Sequence, residues 1–283
     1  MHTAKILAIV NQKGGVGKTT TAINLSAALA LEGLDCLVVD CDPQGNTTSG
    51  LGIPRDDERP SIYDLLIEGA DPAGILLPTE LETLKVLPGS RNLIGANVEL
   101  VEAKDRELKL KQGLSSLTRA FDYILLDCPP ALDLLTLNAL VAADRLLVPI
   151  QAEYFALEGV SELLGTLGRV QEAFNPSLQL EGVVLTMYDE RTNLAQQVTL
   201  NLKEFFGDKL FKTAIPRNIR LAEAPSHGKP VMLYDPRSRG SDAYRELAEE
   251  LLARQKVVSP RAVERTKLAG NRKTSSVRFW PYA

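Results

Sequence analysis

Residues 12 to 20 read Gln12-Lys13-Gly14-Gly15-Val16-Gly17-Lys18-Thr19-Thr20, glycines, lysines and hydroxyls in an order suited to holding a chain of phosphates. Three glycines let the backbone curl until several N–H groups converge on one anion. A helix starting near Lys18 adds its positive end. In such a loop Gly14, Gly15, Val16, Gly17, Lys18, Thr19 and Thr20 form the nucleotide-binding stretch. Lys18 would contact the β and γ phosphates of ATP, and the Thr19 hydroxyl would ligate Mg2+. The plainer reading, a glycine-rich turn with a surface lysine, leaves its position between an apolar strand and a helix unexplained.

Lys13 is a departure from the general pattern G-x-x-x-x-G-K-[ST], whose first glycine would fall at Gln12. A second ammonium at the loop entrance is unfavourable unless an anion meets it, and Lys18 already serves this loop. Its expected target is the triphosphate of a second, facing subunit. There it would neutralise transition-state charge as an arginine finger does, and hydrolysis would depend on dimerisation. An exposed lysine without a role is the other reading.

Two further segments carry acids. Asp40 and Asp42, in VVDCDPQGN, end a second apolar run. Asp42 is expected to position the attacking water and Asp40 to support the Mg2+ shell; capping of the following helix is the alternative. The run ILLDCPP places Asp127 at a strand tip, where it can hydrogen-bond Mg2+-bound water. Pro129 and Pro130 start a loop expected to sense the γ-phosphate.

Positioning such groups takes alternating strands and helices. Apolar runs rich in Val, Ile and Leu predict strands over 5–11, 36–40, 84–87, 123–127, 145–150 and 180–187. Helical spacing predicts helices over 19–32, 99–120, 133–143, 155–174, 193–206 and 241–255, with extended edges at 210–211 and 213–215. This alternation predicts an α/β fold: a P-loop NTPase three-layer sandwich, its mostly parallel central sheet flanked by helices. Residues 52–60 read as an exposed loop, and the turn-rich 216–230 as the working edge of the sheet.

The bulk numbers set the frame. A chain of 283 residues, 45% hydrophobic, can bury one large core. It has no run of 18 apolar residues and no secretion-signal pattern at its start, so a cytoplasmic protein with no membrane partner is expected. Three cysteines, Cys36, Cys41 and Cys128, are too few for a disulfide scaffold and read as core thiols. From Arg254 onward eight basic residues face one acid, Glu264, so the end carries +7 and the first 253 residues −11 of an overall −4. We therefore divide the chain into an ATPase domain, 1–255, and a basic, poorly packed tail, 256–283, which either adds DNA affinity or has no role.

The motifs together carry a resemblance: QKGGVGKTTTAINL at 12–25, VDCDPQGNTTSGLG at 39–52, LLDCPP at 125–130, YDERTNLAQQV at 188–198 and IPRNIRLAEAPSHGKPV at 215–231. Over residues 5–253 the chain resembles the ParA/Soj chromosome- and plasmid-partitioning ATPases, within the MinD-like deviant Walker A class. The resemblance implies that Lys13 crosses a nucleotide-sandwich homodimer and that Asp42 is needed for hydrolysis. It implies adenine recognition at Pro216 and Asn218, and duplex DNA binding through Arg191, Arg217 and Arg220. Read without it, an ordinary solvated face is the alternative for the three arginines, although a chain of net negative charge must localise any positive DNA surface. It further implies a slow ATPase that binds nonspecific double-stranded DNA in its ATP state, is nucleoid-associated, and is stimulated to release DNA by a ParB-type centromere-binding protein. A MinD-like membrane cycle is the nearest rival. It calls for a terminal amphipathic helix, for which Gly270 and Pro281 are poor material. An iron-sulfur reductase would need a cysteine partner for Cys128 that the sequence does not show.

Overall fold

The computed structural model describes residues 3–264. Seven strands form one sheet: β1 (Lys5–Ile9), β2 (Cys36–Asp40), β3 (Leu77–Pro78), β4 (Leu84–Leu87), β5 (Tyr123–Asp127), β6 (Arg145–Gln151) and β7 (Gln179–Thr186). Their order across the sheet is β3-β4-β2-β5-β1-β6-β7. Every pairing is parallel except that of the two-residue edge β3 with β4. β2 and β5 are buried along their whole length, the pattern of strands covered on both faces.

Alternation along the strands divides the core. Ile6, Ala8, Leu37, Val39, Ile124 and Leu126 face one layer, and Leu7, Ile9, Val38 and Leu125 the other. The first layer holds α3 (Ile62–Ile67), α4 (Leu93–Glu99), α5 (Lys109–Leu114), α6 (Leu134–Ala142), α7 (Ala156–Ala173) and α8 (Asn193–Phe206). The second holds α1 (Lys18–Leu31), α9 (Ile219–Glu223), α10 (Val231–Tyr234) and α11 (Arg239–Arg254). A short α2 (Asn46–Gly50) follows β2. This is the three-layer P-loop sandwich expected, and it puts the carboxyl ends of β1, β2 and β5 side by side.

Four local expectations change. No long helix spans 99–120: the stretch holds the last residue of α4, a 3-10 turn at Leu100–Glu102, Asp105 in the left-handed region at φ 52° and the six-residue α5. Its leucines are buried by separate segments, pinned where the Asn138 side chain donates to the Arg106 carbonyl and accepts from Leu110 N–H. Helix α3 was not foreseen, although Ser61 and Asp64 form a reciprocal capping box at its start. The extended edges at 210–211 and 213–215 do not form a strand; Leu210 makes a single bridge to Val183, and Ile215 N–H donates to Leu185. Residues 216–230 are largely helical, with α9 followed by a 3-10 turn at Ala224–His227.

The described part of the tail, 256–264, is mostly exposed but is tied to the end of α1. Ser259 is buried and donates to Glu32, and Arg261 donates from its backbone and guanidinium to the carbonyls of Glu32 and Leu31. Those carbonyls belong to the last turn of α1, which no further helical N–H can satisfy. Residues 265–283, where most of the tail's charge lies, are outside the described residues. Among the described residues no helix is long and apolar enough to cross a membrane.

Candidate nucleotide site

The phosphate loop is held from outside. Asn11 donates to the Pro149 carbonyl at 2.8 Å, the Thr186 hydroxyl to Val16 O at 2.7 Å, and the Gln151 amide to Gly15 O at 3.3 Å, so β6 and β7 fix its curve. Gly15 and Gly17 take φ of 73° and 88°, a region other residues adopt at a cost. Gly17 is the cap of α1 and no side chain caps that end. The first N–H groups of a 14-residue helix therefore point at the loop, ready for an anion. Lys18, the first residue of α1, is buried and folds its ammonium back to Lys13 O at 3.1 Å. Burial lowers its pKa, while Asp127, Cys128 and Asp42 pull the other way.

Three chain segments meet at Asp127. One carboxylate oxygen accepts from Thr19 Oγ1 at 2.8 Å and from Thr47 Oγ1 at 2.7 Å. The other, Oδ1, is buried with no partner among the described residues. An orphaned acceptor of this kind costs about 1–3 kcal/mol, and burial together with the nearby Asp40 pushes the Asp127 pKa up. A cation-bound water would satisfy Oδ1, and Thr19 Oγ1 lies alongside, so the residues fit Mg2+ held by one hydroxyl and otherwise through water and phosphate oxygens.

Asp40 is used differently from the expectation. Its carboxylate accepts from Thr48 N–H at 2.8 Å, Thr48 Oγ1 at 2.7 Å and Asp42 N–H at 3.3 Å, and the side chain is fully buried. Thr48 Oγ1 in turn accepts from Gly89 N–H, so Asp40 locks α2 and the loop after β4 onto β2. Asp40 thereby serves the scaffold, with Oδ2 held by two donors of Thr48 and Oδ1 by Asp42 N–H alone. Burial raises its pKa against these hydrogen bonds. Asp42 is also buried, and its Oδ1 accepts from Gln44 N–H at 2.9 Å.

Thr47 and Thr48 were missed by sequence reasoning; the only signal was a pair of threonines after the second acidic motif. Lys13 is paired with Glu153 of its own chain at the surface. Beside that pair stand Tyr154 and Phe155, stacked edge to face and largely exposed. Pro216 and Asn218 line a cavity of about 390 Å3 next to Gly17 and Thr20, closed by Met187, Ile215, Leu221 and Tyr244. An apolar slot at that point suits a flat heterocycle attached to phosphates in the loop. The three arginines do not form one group. Arg191 and Arg217 share a cleft of about 710 Å3, where Arg191 pairs with Asp189 through two hydrogen bonds and holds that carboxyl down at about 2. Arg220 instead pairs with Glu223 and Asp235.

Known proteins share this arrangement. The AAA domain family model matches residues 4–180. The sporulation initiation inhibitor protein Soj of Bacillus subtilis is 55% identical over 249 residues, 88% of this chain and 98% of that protein. The chromosome partitioning protein ParA of Myxococcus xanthus is 50% identical over 257 residues, 91% of each chain. Among solved structures, cobyrinic acid a,c-diamide synthase of Mycobacterium smegmatis with bound ADP and magnesium is 38% identical, with a TM-score of 0.78 over 89% of this chain and 96% of that one. By fold, loop and near full-length identity, this chain belongs to the Soj/ParA family of chromosome-partitioning ATPases.

Proposed function

We propose that this protein is an ATP-driven DNA-segregation switch. ATP lies with its phosphates along Gly14 to Thr20 and its base against Pro216 and Asn218. Thr19, and Asp127 through water, would hold Mg2+, which would supply charge neutralisation for the phosphates. Lys18 grips the β and γ phosphates of its own subunit, and Asp42 positions the attacking water. Lys13 leaves Glu153 to meet the triphosphate of a second copy, which closes a nucleotide-sandwich dimer. Two copies of the Arg191, Arg217 and Arg220 surface then engage duplex DNA through its phosphates, without reading sequence. Two weak sites acting together raise the affinity. Hydrolysis, slow alone and stimulated by a ParB-type protein, dissolves the bridge and releases the nucleoid-bound protein.

The observation that supports this most is the division of labour between the two lysines. Lys18 is buried on its own loop, whereas Lys13 stands at the surface beside exposed Tyr154 and Phe155, available to another subunit. The test is binding to a nonspecific duplex with ATP, ADP or no nucleotide over a salt series. Tight, salt-sensitive binding with ATP alone is expected; equal binding in all three states would disconnect DNA from the switch.

A further inference from the structure

At the end of the sheet opposite the phosphate loop, a cleft of about 640 Å3 opens at the amino ends of β1, β6 and β7. It is lined by Lys5, Arg145, Lys209, Arg254 and Lys256, brought together from the start, middle and end of the chain, against Asp144, Glu181 and Asp208. This basic majority stands out in a chain of net charge −4. The acids are partly engaged already. Asp144 accepts from Ile6 N–H, and the buried Glu181 accepts from Gln255 and faces Arg145 at 3.7 Å.

The cations are not equally engaged. Arg254 is a wall of the cleft, bound to Glu250 and to the carbonyls of Asp208 and Leu210 and stacked over Phe211. Lys5, Lys209 and Lys256 have no side-chain hydrogen bond or ion pair among the described residues. Burial pushes the Lys5 pKa down against the pull of Glu181, and Arg145 lowers it further, so its ammonium gains from any added anion. Lys256 sits in the left-handed region at φ 55°, where α11 ends and where glycine would be less strained.

We propose that this cleft binds a compact oligophosphate anion through Lys5, Arg145, Lys209 and Lys256, as a second phosphate site separate from the nucleotide loop. A concave cleft with acids at its margin suits a small polyanion better than a rigid duplex, whose many phosphates those acids would repel. The site lies at the first residue of β1, the strand whose far end enters the phosphate loop.

The test is calorimetric titration of inorganic pyrophosphate into the full chain with its phosphate loop held by saturating ADP and excess Mg2+. Saturable binding is expected, weakened roughly tenfold or more by Lys209→Glu with Lys256→Glu, with ADP affinity and Tm unchanged. Both residues are exposed, and Lys209→Gln alone serves as the milder variant. Absent binding, or binding indifferent to these variants, overturns the site. So does a short DNA duplex that binds through the same lysines when pyrophosphate does not.

Discussion

At the scale of single residues, the site rests on one buried carboxylate. Asp127 has one oxygen saturated by two threonine hydroxyls and one orphaned, and burial raises its pKa. A carboxyl whose folded pKa lies above its unfolded value contributes most to stability below the unfolded value. That contribution is lost as pH rises from about 4 through the raised value. In metal-free protein Asp127→Asn should therefore flatten the decline of Tm with rising pH, and should abolish the extra stability conferred by ATP with Mg2+. Thermal scans across pH, with and without Mg-ATP, check both halves. The Lys13 pair with Glu153 is exposed, and such pairs contribute about 0.2–1 kcal/mol. Each subunit of the dimer gives up one such pair, so Glu153→Gln should let ATP dimerise the protein at up to about thirtyfold lower concentration in sedimentation, whereas Lys13→Ala should bind nucleotide yet lose stimulated hydrolysis.

At the scale of elements, side chains far apart in the chain act as fasteners. Glu250 on α11 accepts from the N–H groups of Lys212 and Thr213, the Thr213 hydroxyl and Arg254. Burial would raise its pKa, but these donors prevail and hold it below the ordinary value. A depressed carboxyl contributes above its unfolded pKa and ceases to as pH falls through the folded one. Glu250→Gln should cost about 1–2 kcal/mol near neutral pH and progressively less as pH falls below the ordinary glutamate range, read as the difference in denaturant midpoints. The other fastener is at the end of α1. Its carbonyls receive Arg261, and Glu32 receives Ser259, so a segment following α11 steadies the helix that begins with Lys18.

At the scale of the whole molecule, this docking separates two parts of the basic end. Truncation after Lys256 removes the hydrogen bonds to α1 and should lower Tm by several degrees, about 2–4 °C for each kcal/mol in a domain of this size. Truncation after Glu264 keeps those hydrogen bonds, so the difference in Tm between the two truncations measures what they contribute. If the residues beyond 264 contribute to DNA affinity, the second truncation reduces the salt slope by about one unit for each DNA phosphate that is no longer neutralised. An unchanged slope shows that they do not. The same pair of truncations measures how much of the net charge asymmetry along the chain matters to binding and how much only to solubility.

The sequence by itself determined what is local. The glycines of the loop, Lys18 at the helix start and Asp127 at a strand tip are legible because backbone freedom, helix ends and apolar runs depend on neighbours along the chain. The parallel sandwich follows from the alternation of such runs. Only the tertiary structure decided how carboxylates from adjacent strands divide their work, Asp127 facing Thr19 and Thr47 while Asp40 turns to Thr48. Their motifs look alike in sequence; what differs is which hydroxyl each oxygen meets across the fold. The break in the 99–120 helix likewise depends on Asn138, and the pairing of Lys13 on Glu153, 140 residues away. Contacts at such separation depend on how layers pack, and periodicity along the chain does not encode them.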